Sequence, residues 1–367
     1  MKHVLENKLT FFLEKKKIQN ILVITGQKSF NFSGFKKLAI YEKFKTMMTI
    51  LYKKSEIPEI YELEYLIKKI NIINPDLIIA LGGGCVIDYA KLVNGLHNIK
   101  NLTKKIKSGT LKVHSKKTKI LAIPTTAGSG AEVTKFSVIY IDKIKYSVAN
   151  NLLKPDFFSL IPKLVINSPK IVRSSSGFDA IAQATESIFS KKANIKSLRY
   201  SSKSLRHSVK NFLEFVNNPN VNNATQMLLA ANFSGKAINI AKTNAPHALS
   251  YLFTSEFKIP HGIAVSIFFV EIINLYYLHI NKKNNVSLIK KFNLLFKLIN
   301  TSNILGFNSL FNNFFLKSGI KSYLDKSLKI IKYNNSSFYY NSNRLKNSPI
   351  KILKKNINEL YLNKFNF

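Results

Sequence analysis

Short apolar runs alternate with segments of helical period through about the first 165 residues, and after that the runs stop. NILVIT (20–25) is a β-branched run entering Gly26. A mixed amphipathic segment covers 34–45, MMTILY (47–52) is strand-like, and YELEYLIKKI has helical spacing. DLIIAL (76–81) leads into Gly82, Gly83 and Gly84, then into the helix-like VIDYAKLVNGL. KILAIP (119–124) ends at a second glycine-containing loop. Buried runs separated by helices predict a largely parallel sheet covered on both faces.

Beyond that point the segments SSGFDAIAQATESIFS, LRYSSKSLRHSVKNFLEFV and NATQMLLAANFSGKAINIA read as helices with short polar breaks. The expected organisation is an N-terminal α/β domain over 1–165 and an all-helical domain over 166–367, with a cleft between them. Residues 320–345 carry the weakest pattern, and irregular helices and loops are expected there. No internal repeat points to a solenoid.

Composition narrows the function classes. Of 367 residues 46% are apolar, which suits a globular chain. Lys and Arg number 56 against 19 Asp and Glu, a formal charge of +37. The cations are mostly lysines spread along the whole chain, so they read as a solvated basic surface and not as a nucleic-acid motif. A single cysteine excludes internal disulfides and cysteine-rich zinc sites. The N-terminus lacks a signal-peptide pattern. No apolar run approaches the roughly 20 residues of a membrane span, IAVSIFFVEIINLYYL coming nearest with a glutamate inside it. A soluble cytoplasmic protein is expected, with neither membrane nor nucleic acid as partner.

Two loops carry candidate chemistry. ALGGGCVIDYAK places three glycines between a strand and a helix, where backbone N–H groups favour a phosphate. IPTTAGSGAEVT follows the next strand and offers the hydroxyls of Thr125, Thr126, Ser129 and Thr134. Loops after successive parallel strands share one sheet edge, where such folds bind ligands, and together they suggest a dinucleotide. Asp88 and Lys91 lie one helical turn apart, either as part of that site or as a surface ion pair.

In the helical half, Asp179 and Gln183 share a face, with Glu186 further along. A carboxylate in a largely buried helix needs a partner or a cation, unless it caps the helix start. His247 and His261 each follow a proline and open helix-like segments, and a return loop between them would let both converge. With Asp179 they form an oxygen and two nitrogen ligands, suited to zinc or ferrous iron with positions left open. Taken alone, two histidines beside prolines are more often cap or core residues, so that reading stays open at this level.

GGGCVIDYAK (82–91), IPTTAGSGAEVT (123–134), KPDFFSLIP (154–162), GFDAIAQATES (177–187), PHALSY (246–251) and IPHG (259–262) occur in an order and spacing that resembles the iron-containing, group III alcohol dehydrogenase family. The resemblance covers nearly the whole chain. It implies a two-domain dehydrogenase with NAD or NADP on the glycine loops and a divalent metal, iron(II) ahead of zinc(II), in the helical domain. The implied cofactor contacts are Gly26, Gly82, Gly83, Gly84, Cys85, Asp88, Thr125, Thr126, Ser129, Thr134 and Lys145. Cys85 stands where the family usually has serine. The implied metal ligands are Asp179, Gln183, His247 and His261, with Gln183 replacing the usual histidine. Weaker metal binding, a three-ligand site or altered metal needs are expected from that change. Tyr251 stands where many relatives carry another histidine. Asp88, Tyr251, His247 and His261 are the implied catalytic residues.

Gln183, TNAPHALSY and the RLKNSPI tail resemble most the hydroxyethylphosphonate dehydrogenase subgroup. That implies a small aldehyde substrate with an anionic phosphonate head, for which Lys145, Lys154, Arg173 and Lys242 are cationic candidates. Gly26 and Lys28 lie near the place where NAD-using relatives carry an acidic residue, which leaves room for NADPH. Relatives commonly assemble, so a homodimer is expected. A general primary-alcohol dehydrogenase and a catalytically weakened binding protein are the rival readings.

Overall fold

The computed structural model describes residues 2–283, 285–328, 340 and 342–365. The chain forms two compact units, residues 1–168 with 220–228, and residues 169–219 with 229–367.

The first unit is built on a six-stranded sheet. Its strands are β1 (Lys2–His3), β2 (Ile21–Gly26), β3 (Met48–Lys53), β4 (Leu77–Gly82), β5 (Lys119–Pro124) and β8 (Phe157–Phe158), in the order β1-β8-β5-β4-β2-β3. Every pairing in it is parallel. Alternate residues of the central strands feed two cores. Leu22, Ile24, Ile78, Ala80, Ile120 and Ala122 face one way, against Leu63, Leu66, Ile70 and Val86. Ile21, Val23, Leu77, Ile79, Leu121 and Ile123 face the other, against Leu9, Leu13, Phe30 and Phe35. Burial on both faces is why these strands read as unbroken apolar runs.

An antiparallel hairpin, β6 (Phe136–Ile141) and β7 (Ile144–Ala149), lies outside that sheet. Its turn residues Asp142 and Lys143 both have positive φ, 50° and 63°. Such a turn matches the twist of paired strands and favours Asn, Asp or Gly; Asp142 fits, but Lys143 stands where glycine is usual, which removes the common hairpin signal. The first unit also contains the helices α1 (Ile60–Ile73) and α2 (Gly84–Gly95).

Among the described residues no strand follows β8. The second unit contains α3 (Lys170–Phe189) and α4 (Ile195–Asn217), and the chain continues through α5 (Val221–Ala241), α6 (Ala245–Leu249), α7 (Tyr251–Ser255), α8 (His261–Ser266) and α9 (Phe269–Lys283). From Gly177 to Phe189 every residue of α3 is buried. Helix α4 is amphipathic and turns the buried serines 197, 201, 204 and 208 inward, and it packs on α3. Small side chains on that stripe allow a close approach.

One expectation needs correction. The stretch 261–280, across α8 and α9, has the length and composition of a membrane span. Ile263, Val265, Ile267, Phe268, Phe269, Ile272, Ile273 and Tyr276 within it are nevertheless packed in the protein interior. In the weakly patterned region the described residues form a helix, Ile320–Leu328, and a short helix, Ser342–Leu345. Residues 329–339 and 341 of that region lie outside the described residues.

Candidate metal and cofactor site

In the first unit Gly82 pairs in register with Pro124. The two glycine-containing loops therefore leave the sheet side by side, and the Thr125 N–H donates to the Gly82 carbonyl at 3.1 Å. A Cβ on Gly83 would stand 3.1 Å from Thr126 Oγ1, and one on Gly84 2.8 Å from Ser129 Oγ. The glycines thus let one loop lie against the other. Gly84 opens α2, whose start has no side-chain cap, so its first N–H groups are left for an anion to meet. Gly83, Gly84, Cys85, Thr126 and Ser129 are all partly exposed there.

Other residues expected to meet the cofactor also make contacts within the protein. Thr134 is 1% exposed, and its hydroxyl accepts from the fully buried Lys91 Nζ at 2.9 Å. Lys91 also donates to the Phe136 carbonyl at 3.1 Å and stands 3.7 Å from Asp88 Oδ1. Asp88 Oδ2 accepts from the Val138 N–H at 3.0 Å. Burial pushes the Asp88 carboxyl up and the Lys91 ammonium down, against their mutual attraction. The partly exposed Asp88 and the buried Lys91 and Thr134 tie α2 to the hairpin, so Asp88 and Lys91 are not an ordinary surface ion pair. Lys145 Nζ lies 5.9 Å from the centre of the Tyr140 ring. Burial pushes the Cys85 thiol up to about 12, so it stays protonated at neutral pH.

The second unit brings distant residues to one point. Helix α3 starts after Pro169, so Asp179 stands mid-helix and is not a cap. Asp179 Oδ1 lies 3.1 Å from His247 Nε2, and the rings of His247 and His261 are 5.4 Å apart at 71°. One ligand atom from each of the three lies within 4.8 Å of the others. Gly262 lets α8 approach α3 closely enough for this, since a Cβ there would stand 1.9 Å from the Ser175 carbonyl oxygen.

Glu186 supplies the support that the sequence only hinted at. It is fully buried, and one of its oxygens accepts from the N–H groups of Asn244 (2.9 Å) and His247 (3.2 Å). Its other oxygen is hydrogen-bonded to His247 Nδ1. Its position seven residues beyond Asp179, nearly on the same helix face, was the available signal. Burial pushes His247 down, but the Glu186 charge and the bonds to both carboxylates outweigh it and hold its pKa above the ordinary value. Burial likewise pushes Asp179 up, and the His247 hydrogen bond with the histidine charges carries it below its usual range.

His247 Nε2 faces Asp179 Oδ1 at hydrogen-bond distance. One carboxylate and two imidazoles are the donors that iron(II) or zinc(II) takes, and the outer carboxylate on Nδ1 is the usual support of a ligating histidine. The group fits a divalent metal. Gln183 is beside it, 4% exposed, with Nε2 donating to Asp179 Oδ2 at 3.0 Å. Tyr251, 2% exposed, lies four residues after His247 with the Arg344 guanidinium 5.7 Å from its ring centre. Arg173 donates to the Val216 carbonyl near the end of α4 (3.2 and 2.9 Å), which accounts for its position there.

Family models match most of the chain: iron-containing alcohol dehydrogenase over residues 5–162, and its C-terminal counterpart over 173–304. Among curated proteins, 4-hydroxybutyrate dehydrogenase of Clostridium kluyveri is 32% identical over 205 residues, 54% of either chain. The 1-propanol dehydrogenase PduQ of Citrobacter freundii is 29% identical over 211 residues, 57% of this chain and 54% of that one. These alignments span about half the length of either relative. Among solved structures, sulfoacetaldehyde reductase from Bifidobacterium kashiwanohense in complex with NAD+ superposes with a TM-score of 0.82 at 20% identity, over 100% of this chain and 97% of that one. The iron-containing alcohol dehydrogenase of Thermococcus thioreducens gives 0.81 at 19%, over 100% and 98%. At such identities the likeness is one of fold: a parallel-sheet α/β domain followed by a helical one.

Proposed function

The chain belongs to the iron-containing alcohol dehydrogenase family, and from that premise we propose that it transfers hydride between NAD(P)H and a small aldehyde, with phosphonoacetaldehyde as the substrate. The observation that carries the reading is the convergence of Asp179, His247 and His261. In this reading residues 1–165 take the dinucleotide and 166–367 the metal and substrate, and the enzyme works as a cytoplasmic homodimer.

Bound iron(II) supplies a Lewis acid that polarises a carbonyl. The chain's residues do the rest. Glu186 fixes the His247 ring so that Nε2 faces the cation. Thr126, Ser129 and the start of α2 hold the cofactor's phosphates and nicotinamide end. Tyr251 positions water or the substrate oxygen and returns the proton.

Arg344 supports the anionic head. Its guanidinium lies over Tyr251 and donates to Thr243 Oγ1, which sets a permanent cation beside the first residue of α7, the helix that follows the one carrying His247. The test is reduction of phosphonoacetaldehyde beside propanal and butanal. A preference for the neutral aldehydes would sink the phosphonate reading. Arg344→Leu is expected to lower kcat/KM for phosphonoacetaldehyde by about 10–100-fold, the worth of one charged hydrogen bond. It should leave butanal within about threefold; equal loss on both would remove Arg344 from head recognition.

Cofactor choice has a separate test. A Cβ on Gly26 would meet nothing nearer than Ser29 Oγ at 3.6 Å and Lys53 Cε at 3.7 Å, so a side chain fits there. Gly26→Asp is expected to favour NADH over NADPH by about tenfold or more, because a carboxylate there accepts from a ribose hydroxyl and repels a 2′-phosphate. Rates with the two cofactors measure this directly.

A further inference from the structure

We propose that Gln183 is not a metal ligand here but a positioning residue, which holds Asp179 so that only Oδ1 faces the cation, with Ser234 locking the amide. The inference rests on the metal reading above.

Gln183 has one accepting and one donating end, and its two neighbours dictate which is which. Asp179 Oδ2, 3.0 Å away, is a carboxylate oxygen and only accepts, so the amide must present its NH2 there. The carbonyl Oε1 then faces Ser234 Oγ at 3.1 Å, which is a donor. The Ser234 hydroxyl has a second acceptor in reach, the Ala231 carbonyl at 2.9 Å, but only one proton to give. With the amide in this pose, giving it to Gln183 satisfies the carbonyl. Turning the amide over would set two acceptor oxygens against each other at Asp179. Gln183 and Ser234 are 4% and 0% exposed, so water does not readily replace these bonds.

The result is a division of labour within one carboxylate. Oδ1 lies 3.1 Å from His247 Nε2 and belongs to the ligand group, while Oδ2 is held from behind by Gln183. The cation then has three protein ligands, and its remaining positions are open to substrate and water. A histidine at position 183 would add a fourth ligand and remove this restraint on Asp179.

The test is titration of metal-free protein with cobalt(II), followed by its visible ligand-field bands, for the wild type and for Ser234→Ala, Gln183→Leu and Gln183→His. Ser234→Ala leaves every proposed ligand in place, and circular dichroism checks that each variant is folded. The wild type should take up one cobalt per chain. Ser234→Ala and Gln183→Leu should each weaken binding by about 10–100-fold with band positions unchanged, as loss of an outer hydrogen bond does. Gln183→His should shift the bands and tighten binding. A band shift in Gln183→Leu, together with unchanged or tighter binding in Ser234→Ala, would make Gln183 a ligand and overturn the inference. If the wild type bound no cobalt, the metal reading itself would fall.

Discussion

Asp179→Asn should abolish stoichiometric metal binding and lower kcat/KM for aldehyde reduction by about 10³-fold, because several kcal/mol of carbonyl polarisation depend on the cation and each 1.4 kcal/mol is tenfold. The substitution is nearly isosteric, so the loss isolates charge. Asp179 is the only carboxylate in the three-residue group, and it sits 5% exposed. An amide oxygen there still accepts a hydrogen bond but cannot neutralise a divalent cation in a buried setting. The same change takes one of two carboxylates away from His247, so its pKa should fall toward the ordinary value in metal-free protein. Metal analysis, steady-state rates and a histidine NMR titration would measure the three effects. Full metal occupancy with unchanged rates would contradict the assignment.

Gly262→Ala should damage both the fold and the site. The added methyl would meet the Ser175 carbonyl oxygen at 1.9 Å, the carbonyl carbon at 2.8 Å and Asp179 Cβ at 3.1 Å. Two of these are backbone atoms of α3 and cannot swing aside as a side-chain tip could. The Gly262 N–H also donates to Ser175 Oγ at 3.0 Å, so separating the helices breaks that bond too. Overpacking of this kind costs about 1–3 kcal/mol or more, and a fall in Tm on the order of 5–10 °C follows for a unit of this size. Because His261 precedes Gly262 directly, any retreat of α8 carries a ligand away from Asp179. Metal affinity should therefore fall at least tenfold. Calorimetry and metal titration together test this, and wild-type values in both would show that the close approach is unimportant.

The legible parts of the chain were those where one physical demand dominates. The runs that form β2, β4 and β5 are buried on both faces, and the glycines that end β2 and β4 and follow β5 marked the loops. The β6–β7 hairpin was missed because Lys143 takes a left-handed conformation in its turn where glycine would have signalled a hairpin. Strands β1 and β8 are two residues each and exist only through their partners, so no local pattern could announce them. In the site, the sequence supplied Asp179, His247 and His261 but left the cap reading open for Asp179. Pro169 at the start of α3 decides that, since it places Asp179 nine residues beyond Lys170. The roles of Glu186 and Ser234 depend on which way side chains turn across helices, and the Lys91 partner of Thr134 is likewise not written in its spacing.

Crystals of the protein grown with iron(II) or zinc(II), measured at the metal's absorption edge, give the most direct test of the central claim. An anomalous peak is predicted within about 2.0–2.2 Å of one Asp179 oxygen and one nitrogen each of His247 and His261. A peak elsewhere, or none at those three side chains at full metal loading, would contradict the account.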